Sequence, residues 1–386
     1  MGIEAGGRAG VVVVLAAAAL ACTGGSRLSG QIPAEDAISA DTANVAADSH
    51  GEIAVDTTPP VSCLDADIAC GDQAYCSYPD GLCRAPVPDC SDGWCVLPAA
   101  AFMMGDDGDR GPSWPWEQPR HPVILTHRIR MMATEITASA WEQAMGPLTN
   151  AAQPECGEDC PATGGTSTAK LAYANALSER DGLEPCYDLE GCTGTGDELV
   201  CEQVTYKGLI CRGYRLPTEA ESEFASRAAK DYCFDPTAPG ADGDRDAWTR
   251  CDGPPIPAIW DAEWYCGNSD VDYPSPYDCN DPGTGRHCGY HPVGLKRPNA
   301  FGLYDILGNA PELTTTIWSD GTPDAEIDPG HSPTLPAGAS LVFHVASFSV
   351  TAMGCCPTLR SHFPTAHAEP GGYTGFRLVQ TLFDPE

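Results

Sequence analysis

Twenty cysteines constrain this chain more than any other feature. Scattered among 41 glycines and 35 prolines in 386 residues, they would be a hazard in a reducing cytosol, whereas in an oxidising compartment they can staple loops that a core cannot hold. The sequence therefore reads as an exported protein. Six of them, Cys63, Cys70, Cys76, Cys83, Cys90 and Cys95, crowd a stretch rich in Gly, Pro, Asp and Ser. That is the pattern of a small disulfide knot whose pairing the spacing leaves open. A zinc site is the alternative, but the stretch has neither a C-x-x-C pair nor a histidine. Two later groups, Cys186, Cys192, Cys201, Cys211 and then Cys233, Cys251, Cys266, Cys279, Cys288, read as staples across long insertions.

Charge removes another class of function. Fifty-four acidic residues face 21 basic ones, a net charge of −33, which opposes the phosphate backbone and excludes a nucleic-acid partner. At the N-terminus, Arg8 precedes a small and apolar run from Ala9 to Ala21, followed by Cys22. Residues 1–21 are expected to be a signal peptide, because the run is too short for a membrane span. Ala19-Leu20-Ala21-Cys22 resembles a bacterial lipobox, which implies lipidation of Cys22 and attachment to the outer membrane through that anchor; ordinary secretion is the alternative. Residues 22–62 carry no helical or strand period and are expected to be a disordered tether. Residues 63–95 form the cysteine-rich module, and 96–386 form one large domain.

Within that domain the alternation from Ile124 to Arg130 suggests a strand. Thr137 suggests a helix cap. Thr218 after Pro217 predicts another helix start, with Glu219 and Glu221 at its positive end and Phe224, Ala225 and Ala228 facing inward. Residues 166–178 predict a surface helix with Leu171, Ala172 and Leu177 inward. Its Ser167-Thr168-Ala169-Lys170 matches the S-x-x-K pattern of serine acyl enzymes, yet no companion motif follows and chance explains it. His287 and His291 would share a helical face, but Gly289 and Pro292 argue against a helix there. The acidic tracts at 106–109 and 242–246 read as solvated loops.

Several segments together carry a resemblance: Phe102 to Gly105, Pro119 to Val123, Thr134 to Thr137, Tyr214 to Glu221, His291 to Gly294, Pro298 to Asp305 with Gly308-Asn309, and Gly375 to Val379. In this order they are similar to the formylglycine-generating enzyme (sulfatase-modifying factor) family; YRLPTEAE and PNAFGLYD are the most specific. The resemblance implies an α+β, C-type-lectin-like fold with little regular secondary structure. It also implies copper(I) held between two cysteine thiolates in the active members. Here the first ligand position falls at Val350 and the second at Cys355. Ser222, Pro311-Glu312-Leu313 and His344 to Phe348 also depart from the family pattern. Cys355 and Cys356 are the catalytic candidates, but adjacent thiolates chelate a near-linear ion poorly. A disulfide, to separate partners or between the two, is expected instead, and copper is not.

Asp305 to Glu312 combines carboxylates and carbonyls in a loop, hard donors that suit calcium. The resemblance implies a structural calcium held by the side chains of Asp305 and Glu312 and the carbonyls of Gly308 and Ala310. The plainer alternative is a satisfied turn with Asn309 in the left-handed conformation. Two functions remain open. One is a noncatalytic member that binds an extracellular protein or glycan ligand; the other is a copper-dependent oxidoreductase that converts a cysteine of a client sulfatase to formylglycine.

Overall fold

Frequent prolines and glycines interrupt both helices and strands, and the regular elements are short. The longest described strand, Glu312–Ile317, has six residues, and the longest helix has 14. The computed structural model describes residues 62–64, 70, 74–106, 117–228, 251, 257–278, 287–319, 326–330, 333–335, 340–362 and 373–383. The expected signal peptide, Cys22, the tether up to residue 61 and the acidic tract at 242–246 lie outside them.

Two sheets hold the N-terminal half. One has five strands in the order Glu326–Ile327, His121–Leu125, Ala100–Met104, Tyr75–Ser77 and Cys83–Arg84. The other runs Val379–Leu382, Arg128–Met132, Trp94–Leu97 and Cys90–Ser91, so the last strand of the chain pairs with an early one. These sheets change two expectations. The alternating stretch from Ile124 to Arg130 is not one strand, because the chain turns at Thr126 and His127 and passes from the first sheet to the second. Asp328 pins the turn by accepting from the Thr126 backbone N–H at 2.8 Å.

The cysteine-rich stretch, for its part, is no separate module. Cys76 pairs with Ala101 and Cys95 with Met131, and residue 95 lies inside the strand Trp94–Leu97. Its six cysteines close as 63–76, 70–83 and 90–95, a knot knitted onto the sheet edges.

Three helices pack against this framework. α1 (Ala138–Met145) is capped by Thr137, whose hydroxyl accepts from the Ala140 N–H at 3.1 Å. α2 (Ser167–Arg180) is capped likewise by Thr166. It is not the surface helix that its pattern suggested: Leu171 and Leu177 point inward, but so do Ser167, Thr168, Lys170 and Tyr173. Tyr173 stacks on Trp141 of α1 with ring centres 5.6 Å apart, and Phe376 meets both edge-on. Burial of such rings dominates core energetics, at roughly 1.5–3 kcal/mol for a fully buried large apolar side chain.

α3 (Glu219–Arg227) begins with the expected cap in its fuller form, a capping box. Thr218 accepts from the Glu221 N–H, and the Glu221 carboxylate accepts from the Thr218 N–H. Phe224, Ala225 and Ala228 are buried as expected, yet so is every residue of the helix. The polar face tolerates burial because each carboxylate meets an arginine. Arg215 clamps Glu221 through two 2.7 Å bonds, Arg227 binds Glu223 at 2.8 Å, and Arg360 binds Glu219 at 2.7 Å. Paired and hydrogen-bonded in this way, charges can leave water without an orphaned ion.

Candidate functional site

The expected copper site is the first place where the structure decides. Ala352–Gly354 form one short turn, and Cys355 follows it, buried, in an apolar cluster with Phe348, Tyr290, Cys266 and Ile259. Among the described residues Cys355 is the free cysteine. Burial, with the charge of Glu263 second, pushes its thiol well above the usual range, so it rests protonated. Cys356 is disulfide-bonded, which removes it as a catalytic candidate and excludes a bond between the two neighbours. Val350 packs on the same cluster, close enough to Gly354 that a Cβ there would lie 2.6 Å from the Val350 Cβ. One protonated thiol and an isopropyl group do not fit copper(I), which needs soft donors. The departure at His344 to Phe348 has a structural role: Phe348 wedges edge-on against Tyr277 and Tyr290 at 5.3 and 4.7 Å.

A second centre is built from residues far apart in sequence. Glu135, Glu263, Asp305 and Glu312 are all buried, with one guanidinium, Arg377, among them. Arg377 Nε donates to both oxygens of Glu312 at 2.9 and 2.7 Å, and its Nη2 donates to one of them at 2.6 Å. Its remaining donors reach the carbonyls of Met132, Ala133 and Tyr304. Asp305 and Asn309 both take positive φ, 54° and 56°. This shapes the loop, and the left-handed Asn309 is the turn geometry foreseen as the plainer alternative. Asn309 exchanges hydrogen bonds with the backbone of His291, and Glu135 accepts from the Ala310 N–H at 3.2 Å. Asp305 accepts from the Gly294 N–H at 2.6 Å through Oδ2, while Oδ1 is buried with no hydrogen-bond partner.

Four carboxylates against one arginine, together with an orphaned carboxylate oxygen in the expected loop, are a donor set that suits a hard divalent cation. Asp305 has an oxygen to give, and Glu312, though bound to Arg377, keeps further lone pairs. Glu135 and Glu263, which pattern reading passed over, lie beside them; burial first and the Asp305 charge second raise both carboxyls, Glu263 to about 8, so the centre favours the protonated acids. Glu135 lies in the Thr134 to Thr137 motif, and an acidic residue between apolar neighbours there was the available signal.

The remaining candidates resolve without new chemistry. Lys170 donates to the Gly165 carbonyl at 3.2 Å and to the Thr374 hydroxyl at 3.1 Å, so it ties α2 to the C-terminal segment. His287 sits in an extended strand, and His291 stacks on Trp264 at 3.6 Å; the pair shares no helix. Burial pushes His291 down to about 4. The sulfurs of Cys63, Cys70 and Cys83 come close together, but all three are committed to disulfides, which disposes of zinc. Seven disulfides close between described residues, including 186–211, 192–201 and 251–266. That number belongs to an oxidising, extracytoplasmic environment.

Comparison with known proteins agrees with the sheets and loops described above. The chain is 28% identical over 185 residues to Chaperone protein LppX of Paenibacillus barcinonensis; the match covers 46% of this chain and 58% of that relative, so the alignment spans little more than half its length. Treponema denticola variable protein 1 shares the fold at TM-score 0.53 and 22% identity, over 75% of this chain and 95% of that one. PvdO from Pseudomonas aeruginosa aligns at TM-score 0.49 and 20% identity, over 78% and 100% of the two chains. The model of the sulfatase-modifying factor enzyme 1-like domain matches residues 84–382, from the second strand of the cysteine-rich stretch to the last strand of the sheets, and the chain belongs to that family.

Proposed function

We propose that this protein is a noncatalytic member of the family that binds an extracellular protein or glycan through its loop-rich surface. The observation that carries the reading is the state of the C-terminal cysteines: Cys355 is a buried thiol, Cys356 is in a disulfide, and Val350 stands where the first thiolate would be. Oxidation of a client cysteine needs a metal that binds oxygen, and the protein must supply its ligands. One protein sulfur gives neither the affinity nor the geometry. Copper-loaded full-length protein is expected to leave the cysteine of a sulfatase-motif peptide unchanged by mass spectrometry, and Val350→Cys alone is expected to restore little. Aldehyde formation by the unmodified protein, with one copper(I) tightly bound per chain, would overturn the reading.

The same proposal assigns a structural calcium to the Asp305 and Glu312 carboxylates with the Gly308 and Ala310 carbonyls. The ion would supply no redox chemistry; it would offset the excess negative charge around Arg377 and hold the loop. The proposal also places the chain in the cell envelope, anchored in the outer membrane by a lipid on Cys22. Cys22→Ala is expected to move the protein from the membrane to the soluble fraction, and unmodified mature protein beginning elsewhere would refute the anchor.

A further inference from the structure

Along the strand Asp270–Val271 the chain forms a cavity of about 550 Å3 whose lining includes Cys156, Val271, Asp272, Tyr273, Tyr290 and Pro292. Tyr273 is fixed at its tip. Its hydroxyl donates to Gln153 Oε1 at 2.7 Å and lies 2.8 Å from the Tyr290 carbonyl, and a Cβ on Gly289 would collide with it, so glycine is what leaves room there. The body of the ring is partly exposed and pairs with no other ring among the described residues. Two exposed carboxylates flank it, Asp272 from the preceding position and Glu155 from the turn Pro154–Cys156. Burial first, then the charge of Glu155 and more weakly that of Asp272, push the Tyr273 hydroxyl up, so both acids act on this ring and it stays neutral. Neither acidic side chain has a hydrogen bond or ion pair among the described residues, whereas Asp270, which also lines the cavity, takes part in a contact of its own.

We propose that this cavity binds an alkylammonium ligand with at least two positive charges, either a free polyamine or the lysine side chains of a polypeptide. The proposal goes beyond the noncatalytic reading and gives the binding role a cationic class of ligand. Charge selects the sign. No lysine or arginine among the described residues lines the cavity, and His291, which also borders it, is pushed down to about 4 by burial and brings no charge near neutral pH. Lys296, the cation that acts on His291, lies against the Trp264 ring on which His291 stacks and is tied to the Trp260 carbonyl. Spacing selects the shape. Among the described residues the three-ligand grouping that falls within 4.8 Å is Cys63, Cys70 and Cys83, so the carboxylates here do not converge on one metal ion. Ammonium groups separated by methylenes can reach one acid each, while the methylenes lie on Val271, Pro292 and the Tyr273 ring. An ammonium over an open tyrosine face is attracted further by the ring quadrupole. The net charge of −33 raises the local concentration of such cations.

The test is equilibrium dialysis of the full-length protein against radiolabelled cadaverine at fixed ionic strength. One saturable site per chain above a linear background is expected. Asp272→Asn and Glu155→Gln should each weaken it by up to about fivefold, the size of one exposed charge contact, while Glu190→Gln, which removes an exposed acid on another sheet, should leave it within about twofold. All three changes are at the surface, so an unchanged far-UV spectrum is expected of each. Competition separates the two sources of the ammonium. Stronger displacement by spermine than by a lysine-rich peptide of equal charge assigns the site to free polyamines, and the reverse assigns it to a polypeptide. No saturable site, equal weakening by Glu190→Gln, or displacement by pentylamine or magnesium chloride as complete as by unlabelled cadaverine at equal concentration would each overturn the proposal. Such a failure would leave the noncatalytic reading standing, because that reading is judged by aldehyde formation alone.

Discussion

Two buried acidic regions of this molecule are balanced in different ways. Around α3, Glu219, Glu221 and Glu223 each have their own arginine, Arg360, Arg215 and Arg227. Around the Asp305 loop, four carboxylates share Arg377. The first region is closed, its charges cancelled from within the chain. The second has more carboxyls than cations, with Lys296 acting on Asp305 and Glu263 beside Arg377, and an oxygen of Asp305 is left without a partner. A region that must be completed from outside is where ligand dependence is to be expected.

The largest effect expected is from Arg377→Leu. It leaves Glu312 buried and unpaired and strips donors from three backbone carbonyls, a loss of about 3–5 kcal/mol that denaturant unfolding would register. Stability within about 1 kcal/mol of the parent would mean that the centre is held by something other than this pair. A calcium chelator should come next. If the ion binds only the folded state, removing it costs about 2.7 kcal/mol at a concentration a hundredfold above the dissociation constant, and the melting temperature should fall. Asp305→Ala should abolish that response, whereas Arg360→Gln, at the closed region, should keep it. A melting temperature indifferent to excess chelator would erase the contrast between the two regions.

The smallest effect distinguishes members of the closed region. Burial raises Glu219 to about 7 despite Arg360 beside it. Because the folded value lies above the unfolded one, the folded state holds the proton more tightly between them. Its contribution is therefore complete below about pH 4.5 and is lost as the pH rises through 7. The loss amounts to at most about 3 kcal/mol. Glu219→Gln should flatten this part of the stability profile, and an equally steep slope in the variant would assign the titration to another group.

Much of the framework was legible along the chain, and the reason is range. Thr137, Thr166 and Thr218 cap their helices through bonds three residues away, and side chains that act on their own neighbours are visible in a local pattern. The turn at Thr126 was missed because residues either side alternate correctly; only Asp328, some two hundred positions later, shows that two sheets are involved. The burial of α2 was missed for a related reason. Its polar residues read as a solvent face until Thr374 approaches Lys170 from the far end of the chain.

Composition and local order were enough to point to an oxidising compartment, the family and its sparse regular structure. Those properties follow from residue counts and from motifs whose parts are close in sequence. Which cysteine stays a thiol and which carboxyls gather around Arg377 were left to the tertiary structure. Glu135 meets Ala310 across 175 positions and Arg377 meets Glu312 across 65. Such meetings depend on how loops are closed by sheets and disulfides. The energy of a buried charge or thiol is set by whatever that closure places next to it.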